Sequence, residues 1–276
     1  MGSMGTADQR GNTASPLSPA MLAVNGERVS ILGWGRAILL QFAHPLVAAG
    51  VHEHSRFRGS PAAPVARLHG TIRAMLAFSF GSQDRAAQAA AIINGIHDRV
   101  HGHLPYAAGP FAAGTPYSAK DPRLLLWVHL TLLESMPLAY DRFVAPLDDA
   151  TIAAYCQDST RAASLIGIPP SSVPSSKAEL ADAIHQYDSQ LSVTDAAREL
   201  AHAILTPPVT GRLPGFGLHR LTTIGLLPAP IRDAYELPWS ARDEQALARW
   251  TARLRTYSRV APAVLRRWRA ARRFDG

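Results

Sequence analysis

Eight of the eleven histidines, His44, His52, His54, His69, His97, His101, His103 and His129, fall between residues 44 and 129 of the 276-residue chain, inside its most apolar stretches. A buried imidazole needs partners for both ring nitrogens, so any one of these is most simply a satisfied core residue. Several converging on one interior point instead to a metal or a cofactor. In "IINGIHDRVHGH", residues 92–103, His97 and His101 stand four apart, a spacing that puts both on one face of a helix.

Two chemistries compete for that stretch. The first is hydrolytic: "HDRVH" is similar to the H-E-x-x-H zinc motif, with Asp98 in place of the glutamate. The shorter carboxylate is withdrawn by a methylene, and no third ligand follows at a supporting spacing. A di-iron bundle is excluded, because it needs two Glu-x-x-His repeats and further glutamates. The second chemistry needs one histidine facing an apolar cavity, which is what the proximal side of a haem iron requires. His97 is the candidate, with Ile92, Ile93, Ile96 and Val100 around it as an apolar wall. In "RLHGTIRAMLAFSFG", residues 67–81, Arg67 and Thr71 share a helix face one turn apart. A guanidinium beside a hydroxyl can hold a propionate or a bound ligand; equally, Arg67 can be a solvated residue and Thr71 can bond its own backbone carbonyl.

These residues must be positioned by helices, since a 3.6-residue period dominates and Gly and Pro punctuate it. The pattern predicts a helix from about Gly35 to Ala49. A second follows the "GSPAAP" turn, with Pro64 in its first turn and Gly81 as its stop; a third starts at Ser82 or Asp84 and ends near Gly102. "LPYAAGPFAAGTPYSAK" reads as a loop. Asp121 and Pro122 open a helix that is apolar almost all round and therefore central. Further helices are expected over 148–166, 176–190, 194–205 and 240–271. Sustained two-residue alternation is missing, so no sheet is expected. The fold class is all-α, a single globular multi-helix domain over residues 26–276, with residues 1–25 as a flexible lead-in.

At 47% hydrophobic and 18% charged residues, the chain is far from a disordered composition. Its net charge of +7 comes almost wholly from arginine, since Lys120 and Lys177 are the only lysines, and ten arginines crowd residues 242–273. Aromatic side chains are not interleaved there as a nucleic-acid stacking surface requires, so no nucleic-acid partner is expected. One cysteine, Cys156, precludes an internal disulfide. No apolar run reaches a membrane span: "AILLQFAHPLVAAGV" is too short and carries His44 and Pro45. The opening residues lack the order of a secretion signal, and a cytoplasmic protein is the expectation.

Four stretches taken in order, "GRAILLQFAHPLVAAGVHEHSRF", "RLHGTIRAMLAFSFG", "IHDRVHG" and "YSAKDPRLLLWVHLTLLESMPLAYDRF", resemble the haem-binding oxygenases that include the latex-clearing rubber oxygenases and the fungal mpaB oxygenase. The resemblance covers roughly residues 30 to 170. It implies a fold enclosing a b-type haem whose proximal ligand, in "H-x-x-V-x-G", is His97, with Ile93 and Val100 beside it. It further implies that Arg67 and Thr71 lie against the haem and that Glu53, in "G-V-x-E-H-S", is a distal base. His44 and His129 match recurrent positions read as structural. Rubber oxygenases carry a lysine immediately before the motif threonine, where this chain has Gly70. The implied partners are O2 and a small apolar or aromatic substrate, with cleavage of a carbon–carbon double bond or tailoring of a secondary metabolite as the reaction. A non-catalytic helical protein that holds haem or an apolar ligand is the alternative from another class.

Overall fold

The computed structural model describes residues 18–54, 63–207 and 215–274, and of residues 63–69 the backbone alone. In chain order its elements are α1 (Pro19–Gly26), α2 (Gly33–Ala43), α3 (Pro45–His54), α4 (Ala63–Phe80), α5 (Gln83–His97), β1 (His101–His103), β2 (Pro116–Ser118), α6 (Pro122–Phe143), α7 (Asp149–Leu165), α8 (Lys177–His185), α9 (Asp195–Leu205), α10 (Phe216–Leu226), α11 (Ala229–Ala234), α12 (Ala241–Val260) and α13 (Ala263–Arg266). Helices dominate, in agreement with the sequence.

The centre is α6. Asp121 caps it by accepting a bond from the Arg123 amide at 2.8 Å, and Pro122 takes the first turn, where its missing N–H is harmless. Its Trp127, Leu130 and Leu133 are buried with Leu39, Phe42 and Ala43 of α2. Two glycines let α2 come close: a Cβ at Gly33 would lie 2.3 Å from the Ser135 carbonyl oxygen of α6, and one at Gly35 would lie 1.9 Å from Thr223 Oγ1 of α10. Between them Arg36 crosses the interface, donating from Nε to the Leu226 carbonyl at 2.9 Å and from a guanidinium nitrogen to Ser135 Oγ at 2.6 Å. It also pairs with Glu134 at 2.6 Å.

The single helix expected from Gly35 to Ala49 is two. His44 is extended, with φ −85° and ψ 117°, because the residue before a proline is driven out of the helical region. The chain bends by 103° between Arg28–Ala43 and Pro45–His54. Among the described residues no single helix is long and apolar enough to cross a membrane.

Three other expectations are corrected. The lead-in does not extend to residue 25: Ser18 Oγ caps α1, whose Met21 and Val24 are buried in the core, while residues 1–17 lie outside the described residues. A small sheet is present. β1 and β2 are antiparallel, with His101 opposite Ser118, Gly102 opposite Tyr117 and His103 opposite Pro116; three-residue strands are too short to leave an alternation signal. The helix expected over 240–271 breaks at Ala261 (φ −72°, ψ 136°), again one residue before a proline, Pro262. Helices α10 and α11 were not foreseen.

Candidate functional site

Gly81 and Ser82 turn the chain from α4 into α5, with Ser82 Oγ accepting from the Arg85 amide at 3.4 Å. The two helices pack side by side. Thr71 precedes this turn by as many residues as Ile92 follows it, roughly 14 Å at 1.5 Å per residue. The α4 segment carrying Arg67, Gly70 and Thr71 and the α5 segment ending at His97 are therefore level. Thr71 and Gly70 are exposed. The Arg67 side chain lies outside the described residues.

Helix α5 ends at His97, and the Asp98 amide bonds back to the Asn94 carbonyl at 2.9 Å. The imidazole is half-buried, and its Nδ1 is enclosed with no hydrogen-bond partner. Burial pushes its pKa below the ordinary imidazole value; Asp98 opposes that shift and Lys120, ion-paired with Asp98, adds to it. The ring is thus neutral at neutral pH, the form that ligates a metal. Ile93 and Val100 are half-buried beside it. Ile92 and Ile96, one turn apart, are 63% and 48% exposed, so an uncovered apolar stripe runs along α5 toward His97. Space is open here too: a Cβ at Gly70 or at Gly95 would meet nothing within 4 Å.

The last turn of α3 faces the β-hairpin. Tyr117, buried on β2, donates its phenolic O–H to Glu53 Oε2. Burial and then that hydrogen bond push the phenol's pKa up, so it stays a donor throughout the working pH range. Gly102 makes room for the pair, since a Cβ there would lie 2.6 Å from the Tyr117 hydroxyl and 3.1 Å from Glu53 Oε2. Val100 lies against Gly50 of α3, where a Cβ would be 3.3 Å from its Cγ1. Glu53, Val100 and His97 therefore belong to one neighbourhood. Tyr117 was missed by sequence reasoning, because nothing in "GTPYSAK" separates it from an ordinary loop tyrosine.

His101 does not share a helix face with His97, because the helix has ended and His101 is on β1; its carbonyl accepts from His54 Nε2 at 3.1 Å. The zinc-pair reading loses its geometry. Among the described residues no group of three or more His, Cys, Asp or Glu side chains is arranged to hold a metal ion, and ligation by a single histidine needs none.

The other core histidines have packing partners. His44 is buried between the rings of Phe111 and Tyr187, at 5.3 Å and 6.4 Å between centroids. His129 Nε2 is 3.1 Å from Ser159 Oγ and ties α6 to α7. Burial pushes each down to about 4. Cys156 is buried and its thiol is pushed up to about 11, which makes it inert. A cavity of about 510 Å³ between the start of α6 and α8, lined by Arg123, Leu126, Val173 and Tyr187 among others, has no histidine on its wall.

Residues 23–256 match the family described as ER-bound oxygenase mpaB/B′/Rubber oxygenase, catalytic domain. Two curated relatives are each 25% identical over 232 residues, covering 82% of this chain and 87% of their own length: the uncharacterized protein Mb2261 of Mycobacterium bovis and the uncharacterized protein Rv2237 of Mycobacterium tuberculosis. No solved structure matches the chain significantly.

Proposed function

The chain belongs to the mpaB/rubber oxygenase catalytic-domain family, and from that premise we propose that it is a haem b-dependent oxygenase acting with O2 on a small apolar or aromatic substrate. The observation that carries the proposal is His97. A neutral ring with one nitrogen enclosed and unpartnered, at the end of a helix that carries an uncovered apolar stripe, fits a flat apolar group bearing a metal.

In this reading His97 would hold the iron, with Ile93 and Val100 as the apolar wall, and Arg67 and Thr71 on α4 would offer a guanidinium and a hydroxyl to its propionates or to a bound ligand. Bound there, haem supplies activation of O2, for cleavage of a carbon–carbon double bond or for tailoring of a small metabolite. Gly70 presents no side chain, so no lysine occupies the position that closes the site in rubber oxygenases. Glu53 would serve as the distal base, its carboxylate oriented by the Tyr117 hydroxyl and left one lone-pair direction fewer for stray protons. The exposed isoleucines favour an apolar substrate over a charged one.

Titration of the purified chain with hemin tests this reading. A Soret band should grow to one equivalent. His97→Ala should weaken hemin affinity by a factor of a hundred or more, while His101→Ala should leave it within a factor of about two. No Soret band in the parent protein sinks the haem assignment, and loss in the His101 variant alone moves the ligand to β1. A dithionite-reduced sample exposed to O2 separates an oxygenase from a haem carrier, because a coordinatively saturated iron would give an O2-indifferent spectrum.

A further inference from the structure

Residues 260–265, "VAPAVL", form an apolar turn between α12 and α13 that nothing among the described residues covers. Val260, Val264 and Leu265 are 74%, 52% and 56% exposed. The turn is not a frayed end. Directly behind it Arg266 and Arg267 reach Glu27, which is 3% exposed, the Trp268 amide bonds to the Gly26 carbonyl at 2.9 Å, and Arg28 stacks 5.4 Å over the Trp268 ring. The clasp to α1 holds the apolar tip outward.

The exposed charge along the chain around the tip is mostly positive. Residues 245–274 contain nine arginines and no aspartate, glutamate or lysine. Arg255, Arg266 and Arg267 are committed to internal acceptors, whereas Arg249, Arg253, Arg259, Arg269 and Arg273 are exposed. On α12 the spacing of Arg249, Arg253 and Val260 places them on one outward face.

We propose that this tip and its arginines dock the protein on an anionic phospholipid bilayer, with Val260, Val264 and Leu265 entering the headgroup boundary and Arg259 and Arg269 pairing with lipid phosphates. An apolar centre flanked by exposed arginines, with Glu27 buried and paired beneath it, matches an extended surface of uniform negative charge. A folded protein partner would present charges of both signs. Aliphatic side chains give bases no planar surface to stack on, which sets a nucleic acid aside. The tip lies beyond the family-matched residues, which end at 256.

Flotation of the full-length chain with vesicles tests the proposal. The protein should float with phosphatidylcholine vesicles containing phosphatidylglycerol and stay behind with phosphatidylcholine alone. At about fivefold per arginine, Arg259→Gln with Arg269→Gln should weaken partitioning roughly 25-fold. Val264→Ser with Leu265→Ser should weaken it by roughly tenfold or more, because the apolar contact is lost. All four side chains are at the surface or turned from the core, and an unchanged thermal midpoint confirms each variant's fold. In the parent protein, rising salt should reduce binding to anionic vesicles without abolishing it. The proposal is overturned by absence of binding at low salt, by equal binding to both vesicle types, by parent-like binding of the serine variant, or by displacement from vesicles by a single-stranded oligonucleotide.

Discussion

On α2, added Cβ atoms at Gly33 and Gly35 would collide with neighbours at 2.3 Å and 1.9 Å, whereas at Gly70 on α4 and Gly95 on α5 they would meet nothing within 4 Å. The polar side chains divide in the same way. Arg36 on α2 is 4% exposed and has partners for its Nε and both terminal nitrogens; His97 on α5 is half-buried and keeps an enclosed nitrogen without one. In the first region glycine lets backbones touch and Arg36 closes on its acceptors, so the packing is complete as it stands, although Ser30 Oγ, Trp127 Nε1 and Thr223 Oγ1 lack hydrogen-bond partners there too. In the second, glycine leaves room and a polar atom is left over. Room on α4 and α5 and an unpartnered nitrogen at the end of α5 are what the proposed haem site would need.

The largest effect should come from opening the complete region. Arg36→Met leaves the Glu134 carboxylate, Ser135 Oγ and the Leu226 carbonyl without their common donor, and should lower unfolding free energy in urea by about 3–5 kcal/mol. Gly35→Ala should cost about 1–3 kcal/mol, because Thr223, itself fully buried, must shift away from the new methyl. Near-parental stability in the arginine variant would mean that the α2 interface is not the rigid half of the molecule, and the contrast with α5 would lose its force.

Much of the complete region was legible. The start at Asp121–Pro122, the stop and restart at Gly81–Ser82 and the helices over 148–166 and 194–205 all follow from caps and period, which act locally. Failures came where a proline's effect on the residue before it outweighed helical periodicity, at His44–Pro45 and Ala261–Pro262. The end of α5 was misplaced because "HDRVHGH" keeps an apparent helical spacing while the chain leaves the helix to pair Gly102 with Tyr117. That pairing is between residues fifteen apart, and neither carries a local signal for it. Of the candidate site, the neighbourhood of Ile93, His97 and Val100 was legible because the three lie within eight residues, whereas Tyr117 was illegible because its pairing depends on a carboxylate sixty-four residues earlier.

An intermediate effect separates packed histidines from the one held in reserve. Burial pushes His44 and His129 to about 4, from an ordinary imidazole value of 6.5. The unfolded chain therefore takes up these protons at a higher pH than the folded one. The stability gained by keeping the rings neutral is complete above about pH 6.5 and is lost as pH falls toward 4. Unfolding free energy should drop between pH 7 and 4.5 by about 2 kcal/mol for each ring. His129→Gln keeps a group able to bond Ser159 and removes the titration, so its profile should be flatter than the parent's over that range. A profile as steep as the parent's would show that His129 is already solvated, and would move it from the packed class into the open one.

The smallest effect bears most directly on the contrast. Alanine is better than glycine inside a helix by about 0.8–1 kcal/mol, and a methyl at position 95 meets no atom of the described residues within 4 Å. Gly95→Ala should therefore raise unfolding free energy in the absence of hemin by up to about 1 kcal/mol, opposite in sign to Gly35→Ala. Gly95, two residues before His97, is on the opposite side of α5, one turn from Ile92, so the same methyl should leave hemin uptake at the ring within a factor of about two as it strengthens the fold. Destabilisation would mean that the space beside Gly95 is already filled; stabilisation with weakened hemin uptake would mean that the bound group lies over the Ile92 and Ile96 face of α5 rather than over the face of His97.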